Sequence, residues 1–238
     1  VQTIARVLTH HGFGHLVAKL RLERYVPIPK RWQRPPKDEI RETIGTRLLR
    51  VFEDLGPTYI KFGQTLSTRP DIIPTDIVAE LSKLQDQVPP FPTHKARQII
   101  ARDLGAPVDE CFTYFADEPF ASGSIAQVYK ATVPGENGKP DEPVVVKVKR
   151  PEIEDIVRLD MNILHWAAEL ADRMVPEISA FNPTTIIEEF EKSIFREMDM
   201  INEASTVSRF AEAFGEDPHF HPPYVHWNRT GPAVLTLQ

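Results

Sequence analysis

A lysine stands among valines in Val144-Val145-Val146-Lys147-Val148. In a strand that pattern keeps the backbone in a ladder while the ammonium reaches off one face. An amine held this way can neutralise the phosphate oxygens of a nucleotide once a carboxylate orients it; the plain alternative is an edge-strand lysine kept for solubility. Upstream, Phe120-Ala121-Ser122-Gly123-Ser124-Ile125-Ala126-Gln127-Val128-Tyr129 turns between two β-like runs. The small residues Ala121, Ser122, Gly123 and Ser124 let backbone amides approach phosphate oxygens, and Ser124 adds a hydroxyl donor. One glycine stands where such loops often carry three, so a tight hairpin is the competing reading. Downstream, Glu188-Glu189-Phe190-Glu191 leads to Glu197-Met198-Asp199-Met200-Ile201-Asn202-Glu203-Ala204. On a continuous helix Asp199 and Glu203 share a face and Glu197 points elsewhere, so Glu203 is the carboxylate expected to meet Lys147. A solvated acidic face is the bland reading. Finally, Lys61 and Gln64 of Lys61-Phe62-Gly63-Gln64 fall on one helical face, a cation and an amide offered to a polar site.

Punctuation in the sequence predicts the elements that must position these groups. A helix is expected over Val1–Leu20, then a connector whose Pro27, Pro29, Pro35 and Pro36 cannot be helical throughout. From Lys37 the residues Ile40, Ile44, Leu48, Val51, Phe52 and Leu55 form an apolar stripe at helical spacing. Pro57 restarts a helix that carries Lys61–Gln64 and ends at Arg69-Pro70-Asp71. Two more helices fit Thr75–Gln87, opened by a Thr cap, and Thr93–Leu104 after the breaker Pro89-Pro90-Phe91-Pro92. Then the period changes. Phe112–Phe120, Ser124–Val133 and Val144–Lys149 have strand character, the last two joined across a polar loop from Pro134 to Pro143. Helices return over Ile153–Met174 and Pro183–Phe214, and Tyr224–Trp227 and Ala233–Leu237 close the chain as strands. Five antiparallel strands with one packed helix make an α+β fold of the kind that forms the small lobe of a protein kinase. The division expected is a helix and connector at 1–36, a helical extension at 37–108 and the lobe at 109–238.

Composition excludes several classes. With 238 residues and a net charge of −6, the chain is not a general nucleic-acid binder. The charge is uneven: residues 1–50 hold eleven Lys or Arg against four Asp or Glu, so a basic amino-terminal end could face acidic lipids or simply solvent. Cys111 is the single cysteine, which rules out an intrachain disulfide and a cysteine zinc cage; its apolar neighbours fit a buried small hydrophobe. His10, His11 and His15 lack neighbouring carboxylates or cysteines, and no metal site is expected there. No apolar run is long enough to span a membrane, and no signal peptide is read at the start.

The four motifs, in their order along the chain, resemble the UbiB-like family of atypical kinases, also called ADCK-type, from about Lys37 to Gln238. The family's K-x-G-Q falls on Lys61, Gly63 and Gln64, followed by its S-T-R-P-D stretch at Ser67–Asp71. Its alanine-rich loop falls on Ala121-Ser122-Gly123-Ser124, its nucleotide lysine on Lys147, and its E-x-D on Glu197-Met198-Asp199, with Glu203-Ala204 after it. The resemblance implies ATP or ADP with Mg²⁺ as cofactor, most metal ligands lying in a large lobe beyond Gln238, so that this stretch alone should not turn over ATP. It also implies that the K-x-G-Q extension folds over the active site, Lys61 and Gln64 meeting the acidic helix. The implied role is support of ubiquinone or other prenyl-quinone synthesis by an atypical kinase or ATPase. Its partners would be nucleotide, prenyl-quinone precursors, acidic lipids and quinone-biosynthesis proteins. The implied location is cytoplasmic and peripheral to a membrane, the bacterial inner membrane or an organelle. Other readings are a non-catalytic nucleotide- or lipid-binding module and a small-molecule phosphotransferase of the aminoglycoside or choline type, against which the K-x-G-Q extension argues.

Overall fold

A computed structural model describes residues 1–19, 43–85, 88–135, 140–174, 179, 181–215 and 219–238. The expected connector prolines, most of the basic amino-terminal residues and Ile40 lie outside them. The chain forms two compact units, each from two segments: Val1–Asp86 with Asp155–Lys192, and Gln87–Glu154 with Ser193–Gln238.

The first unit is helical. The helix expected over Val1–Leu20 is two, α1 (Gln2–His10) and α2 (Gly14–Lys19). The break falls at Gly12, whose φ of 80° is left-handed and which packs so close to Arg47 that a Cβ would lie 2.7 Å from its guanidinium. Next, α3 (Ile44–Leu55) is capped by the Thr43 hydroxyl, which accepts from Thr46 N–H at 3.1 Å. Its stripe buries Val51 and Phe52, but Ile44 is 57% exposed, on the solvent side of the first turn. The chain then turns at Gly56 into α4 (Pro57–Ser67) with Pro57 in its first turn. The helix expected over Thr75–Gln87 is shorter, α5 (Thr75–Leu81); Pro74 takes the cap position, with no side-chain capping bond. Phe13, Val51, Phe52, Tyr59, Ile60, Leu81 and Leu84 form its core, against which Leu164 of α8 (Ile153–Met174) packs. Trp166, Leu170 and Met174 of α8 pack around Ala5 and Val17 in a second cluster. Burying such large apolar side chains, at ~2 kcal/mol each, is what holds short helices that would not persist alone.

The second unit is built on an antiparallel sheet with α6 (Thr93–Leu104) and the short α7 (Val108–Cys111). Strands β3 (Ala126–Val133) and β4 (Glu142–Lys149) pair along their whole length, and β5 (Val234–Leu237) pairs with the other edge of β4. The strand expected over Phe112–Phe120 is split into β1 (Tyr114–Phe115) and β2 (Ala121–Ser122), both on β3. Between them Asp117, Glu118 and Pro119 interrupt the ladder, since proline has no N–H to donate. The strand expected over Tyr224–Trp227 contracts to a single bridge, Val225 to Leu237, before a 3-10 turn at Trp227–Arg229. One face of the sheet carries Tyr129, Ala131, Val144, Val146, Val148 and Val234 into a core with Ala96, Ile99 and Ile100 of α6. Alternation then fixes the rest: Val128, Lys147 and Leu235, cross-strand neighbours, lie on the opposite face.

The acidic helix expected as one piece over Pro183–Phe214 is two, α9 (Pro183–Glu197) and α10 (Met200–Phe214). Asp199 has extended backbone, φ −88° and ψ 97°, and its carboxylate accepts from Asn202 N–H at 3.0 Å. It caps α10. The one-face argument for Asp199 and Glu203 is therefore superseded, because a cap residue lies outside the helix it starts. Cys111 is buried as expected, and burial pushes its thiol up from the ordinary value.

Candidate functional site

Lys147 projects from the middle of the sheet, opposite Val128 of β3 and Leu235 of β5. Its Nζ lies 2.6 Å from Oε2 of Glu203, which sits in the first turn of α10. The cap at Asp199 sets where that turn begins, so it also sets where Glu203 points. Both side chains keep partial exposure, 26% and 34%, so the pair is shielded from solvent yet still reachable by a ligand. The pairing falls on Glu203 rather than Glu197, as strand and helix placement predicts. Lys149, two residues on, has its own carboxylate, Glu154 at 2.8 Å.

The loop Ala121–Ser124 opens the β2–β3 turn next to Val128 and Gln127 in the register. Its geometry differs from an array of outward amides: Gly123 N–H bonds to Ala126 O at 2.9 Å, and the Ser122 hydroxyl accepts from Arg150 at 2.8 Å. Ser124, expected to offer its hydroxyl, is 1% exposed. Arg150, not singled out from the sequence, also donates from Nε to Gly123 O at 2.8 Å. Its place in Lys147-Val148-Lys149-Arg150-Pro151 was visible, but a loop contact across the sheet has no local sequence signal.

Within the first unit, Lys61 and Gln64 on α4 are both half-buried, and Gln64 Nε2 donates to Leu84 O at 3.3 Å. Gly63 between them has a packing role: a Cβ there would collide with Leu84 Cδ1 and lie 2.6 Å from Phe52. Thus the glycine of the K-x-G-Q run lets α4 close onto α3 and the turn after α5. The S-T-R-P-D stretch is also tied locally, Arg69 bonding Asp71 at 2.9 Å and Glu189 at 3.3 Å. The Arg69 guanidinium holds the Asp71 carboxyl below its usual range. At the start of α4, Thr58 Oγ1 donates to Asp160 Oδ2 at 2.6 Å, and burial pushes Asp160 up. His11 meets Asp54 at 2.7 Å, a carboxylate brought to the histidine cluster by α3. Among the described residues no group of three or more His, Cys, Asp or Glu is arranged to hold a metal ion.

A cavity of about 510 Å³ opens at the other end of the β3–β4 hairpin, lined by Pro134, Glu142, Tyr224 and Trp227. Glu142 is five residues from Lys147 along β4, ~17 Å at strand rise. The cavity is not part of the Lys147 site. Among the described residues no helix is long and apolar enough to cross a membrane.

Known proteins are similar to this chain in sequence. Residues 83–238 match the family described as ABC1 atypical kinase-like domain. A probable protein kinase UbiB of Pseudomonas aeruginosa is 41% identical over 241 residues, covering 99% of this chain and 44% of its own length. A probable protein kinase UbiB of Azotobacter vinelandii is 39% identical over 211 residues, covering 89% of this chain and 38% of its own. Among solved structures, a complex of Rv3197 with erythromycin from Mycobacterium tuberculosis matches with 27% identity and a TM-score of 0.46, covering 79% of this chain and 46% of that one. The chain therefore spans less than half the length of these curated relatives.

Proposed function

Because the chain belongs to the ABC1 atypical kinase-like family, we propose that it carries the nucleotide-binding part of a UbiB-like ATP-dependent enzyme. The observation that carries this is the Lys147–Glu203 pair at 2.6 Å on the sheet face opposite the core. Glu203 would hold the ammonium against the α- and β-phosphates of ATP, and the partly exposed apolar neighbour Val128 would meet the base. The Ala121–Ser124 loop would cover the phosphates from the adjoining turn. ATP supplies the transferable phosphoryl group. Mg²⁺ would travel with the phosphates. Lys61 and Gln64 belong to the regulation of that site, and Glu197 and Asp199 to its acidic wall, Asp199 through its cap. The whole enzyme would act in ubiquinone or another prenyl-quinone pathway, peripheral to a membrane, with quinone precursors, acidic lipids and pathway proteins as partners.

A non-catalytic nucleotide-binding module is the second reading. It is favoured by the inward Gly123 amide, which leaves the loop fewer donors for a transferring phosphate. Equilibrium titration with ATP tests the shared core of both: the protein should bind, and Lys147→Ala should weaken binding at least about tenfold, the scale of one charge-assisted contact. Equal affinity in parent and variant would remove the basis of both readings.

A further inference from the structure

Arg150 follows β4 directly, and its side chain is engaged with the loop rather than spread into solvent. Besides Gly123 O and the Ser122 hydroxyl, its terminal nitrogen reaches Pro89 O at 3.0 Å and Val88 O at 3.3 Å. The guanidinium lies 5.6 Å from the centroid of the Phe91 ring. Backbone bonds draw the same pieces together: Arg150 N–H to Ile125 O at 2.9 Å and Val88 N–H to Ser122 O at 3.2 Å. Phe91 is pinned in turn by Gln127, whose amide bonds both its N–H and its carbonyl. Two stretches distant in sequence, Val88–Phe91 and Ser122–Gly123, thus converge on one guanidinium.

We propose that Arg150 is the positioning residue of the phosphate loop: it clamps the Ser122-Gly123 turn between the end of β4 and the Val88–Phe91 strap. The loop and Lys147 then keep one separation suited to a nucleotide's phosphates. This rests on the nucleotide reading above. Small residues such as Ser122 and Gly123 have little side chain with which to fix themselves, and their backbone freedom must be removed by something else. The guanidinium meets three carbonyls and a hydroxyl at once, four acceptors for a planar fork with five N–H donors; a lysine ammonium has three donors and lacks that geometry.

Hydrogen exchange and nucleotide titration on the full-length protein and its Arg150→Lys, Arg150→Met and Lys147→Met variants test the clamp. Amides of residues 121–126 should exchange at least about tenfold faster in both Arg150 variants, since each lost charge-assisted bond is worth about a factor of ten. In Lys147→Met those rates should be unchanged. ATP affinity should fall about tenfold in Arg150→Lys while adenosine, which has no phosphate to place, binds as in the parent. Unchanged loop exchange in both Arg150 variants would overturn the proposal. An equal loss of ATP and adenosine would overturn it too, because that marks a general loss of fold. Absence of ATP binding by the parent would refute the nucleotide reading instead, and the loop exchange rates would still decide whether Arg150 clamps the turn.

Discussion

The carboxylates crowded between residues 188 and 203 are put to different uses. Glu203 meets Lys147, Asp199 caps a helix, Glu189 bonds Arg69 and Glu191 bonds His165 at 2.8 Å. The sequence made Lys147 legible because it sits in a strand whose faces follow from spacing, whereas Glu203 meets it from a helix start at Asp199 that spacing alone places in the middle of one helix. Arg150 and Asp160 were not legible, since each acts on a residue far away in the chain: Ser122 is 28 positions from Arg150 and Thr58 is 102 from Asp160. Asp160 gives a pH prediction. Burial raises its carboxyl above the ordinary 3.8, against the Thr58 hydrogen bond. A folded state that holds a proton more tightly than the unfolded chain has its full stability below 3.8 and loses it as pH rises through the raised value. Asp160→Asn keeps an acceptor for Thr58 and removes the titration. Melting curves from pH 4 to pH 7 should show its Tm falling less than the parent's, and a parallel fall in both would refute the assignment.

At the scale of elements, Thr93–Leu104 and Ile153–Met174 have the bounds that their periodicity predicts. Pro183–Phe214 does not, and the cause was present in the sequence: Asp199 with Glu203 in the turn after it is a helix-start signal overridden by the unbroken apolar period. Met198, 1% exposed, continues the buried pattern through the break and hides it. The cap matters for the site because it fixes the turn that bears Glu203. Asp199→Ala should cost about 1 kcal/mol of stability, and Asp199→Ser, which can still cap, should restore most of it. Denaturant midpoints of the two variants decide this. In the helical unit, Gly63→Ala forces a methyl into Leu84 and Phe52, an overpacking change that typically costs about 1–3 kcal/mol. A Gly63→Ala protein as stable as the parent would show that α4 has room to move, and the close-approach account of the K-x-G-Q glycine would fail.

The molecule as a whole is two units threaded through each other in sequence, since Asp155–Lys192 returns to the unit begun at Val1. No sequence period announces such a return; it is set by which apolar faces meet, Leu164 on one cluster and Trp166, Leu170 and Met174 on another. A shortened chain starting at residue 87 would leave those side chains without their partners and should aggregate, as light scattering of the purified piece would reveal. The central claim, however, is that Lys147 binds nucleotide phosphate and that Glu203 serves it. The most direct measurement is a double-mutant cycle on ATP affinity with Lys147→Met, Glu203→Gln and the pair of changes together. Each single change should weaken ATP at least about tenfold, and the double variant should be no worse than Lys147→Met alone, because Glu203 acts through the lysine. Wild-type affinity in Glu203→Gln, or losses that simply add, would contradict the account.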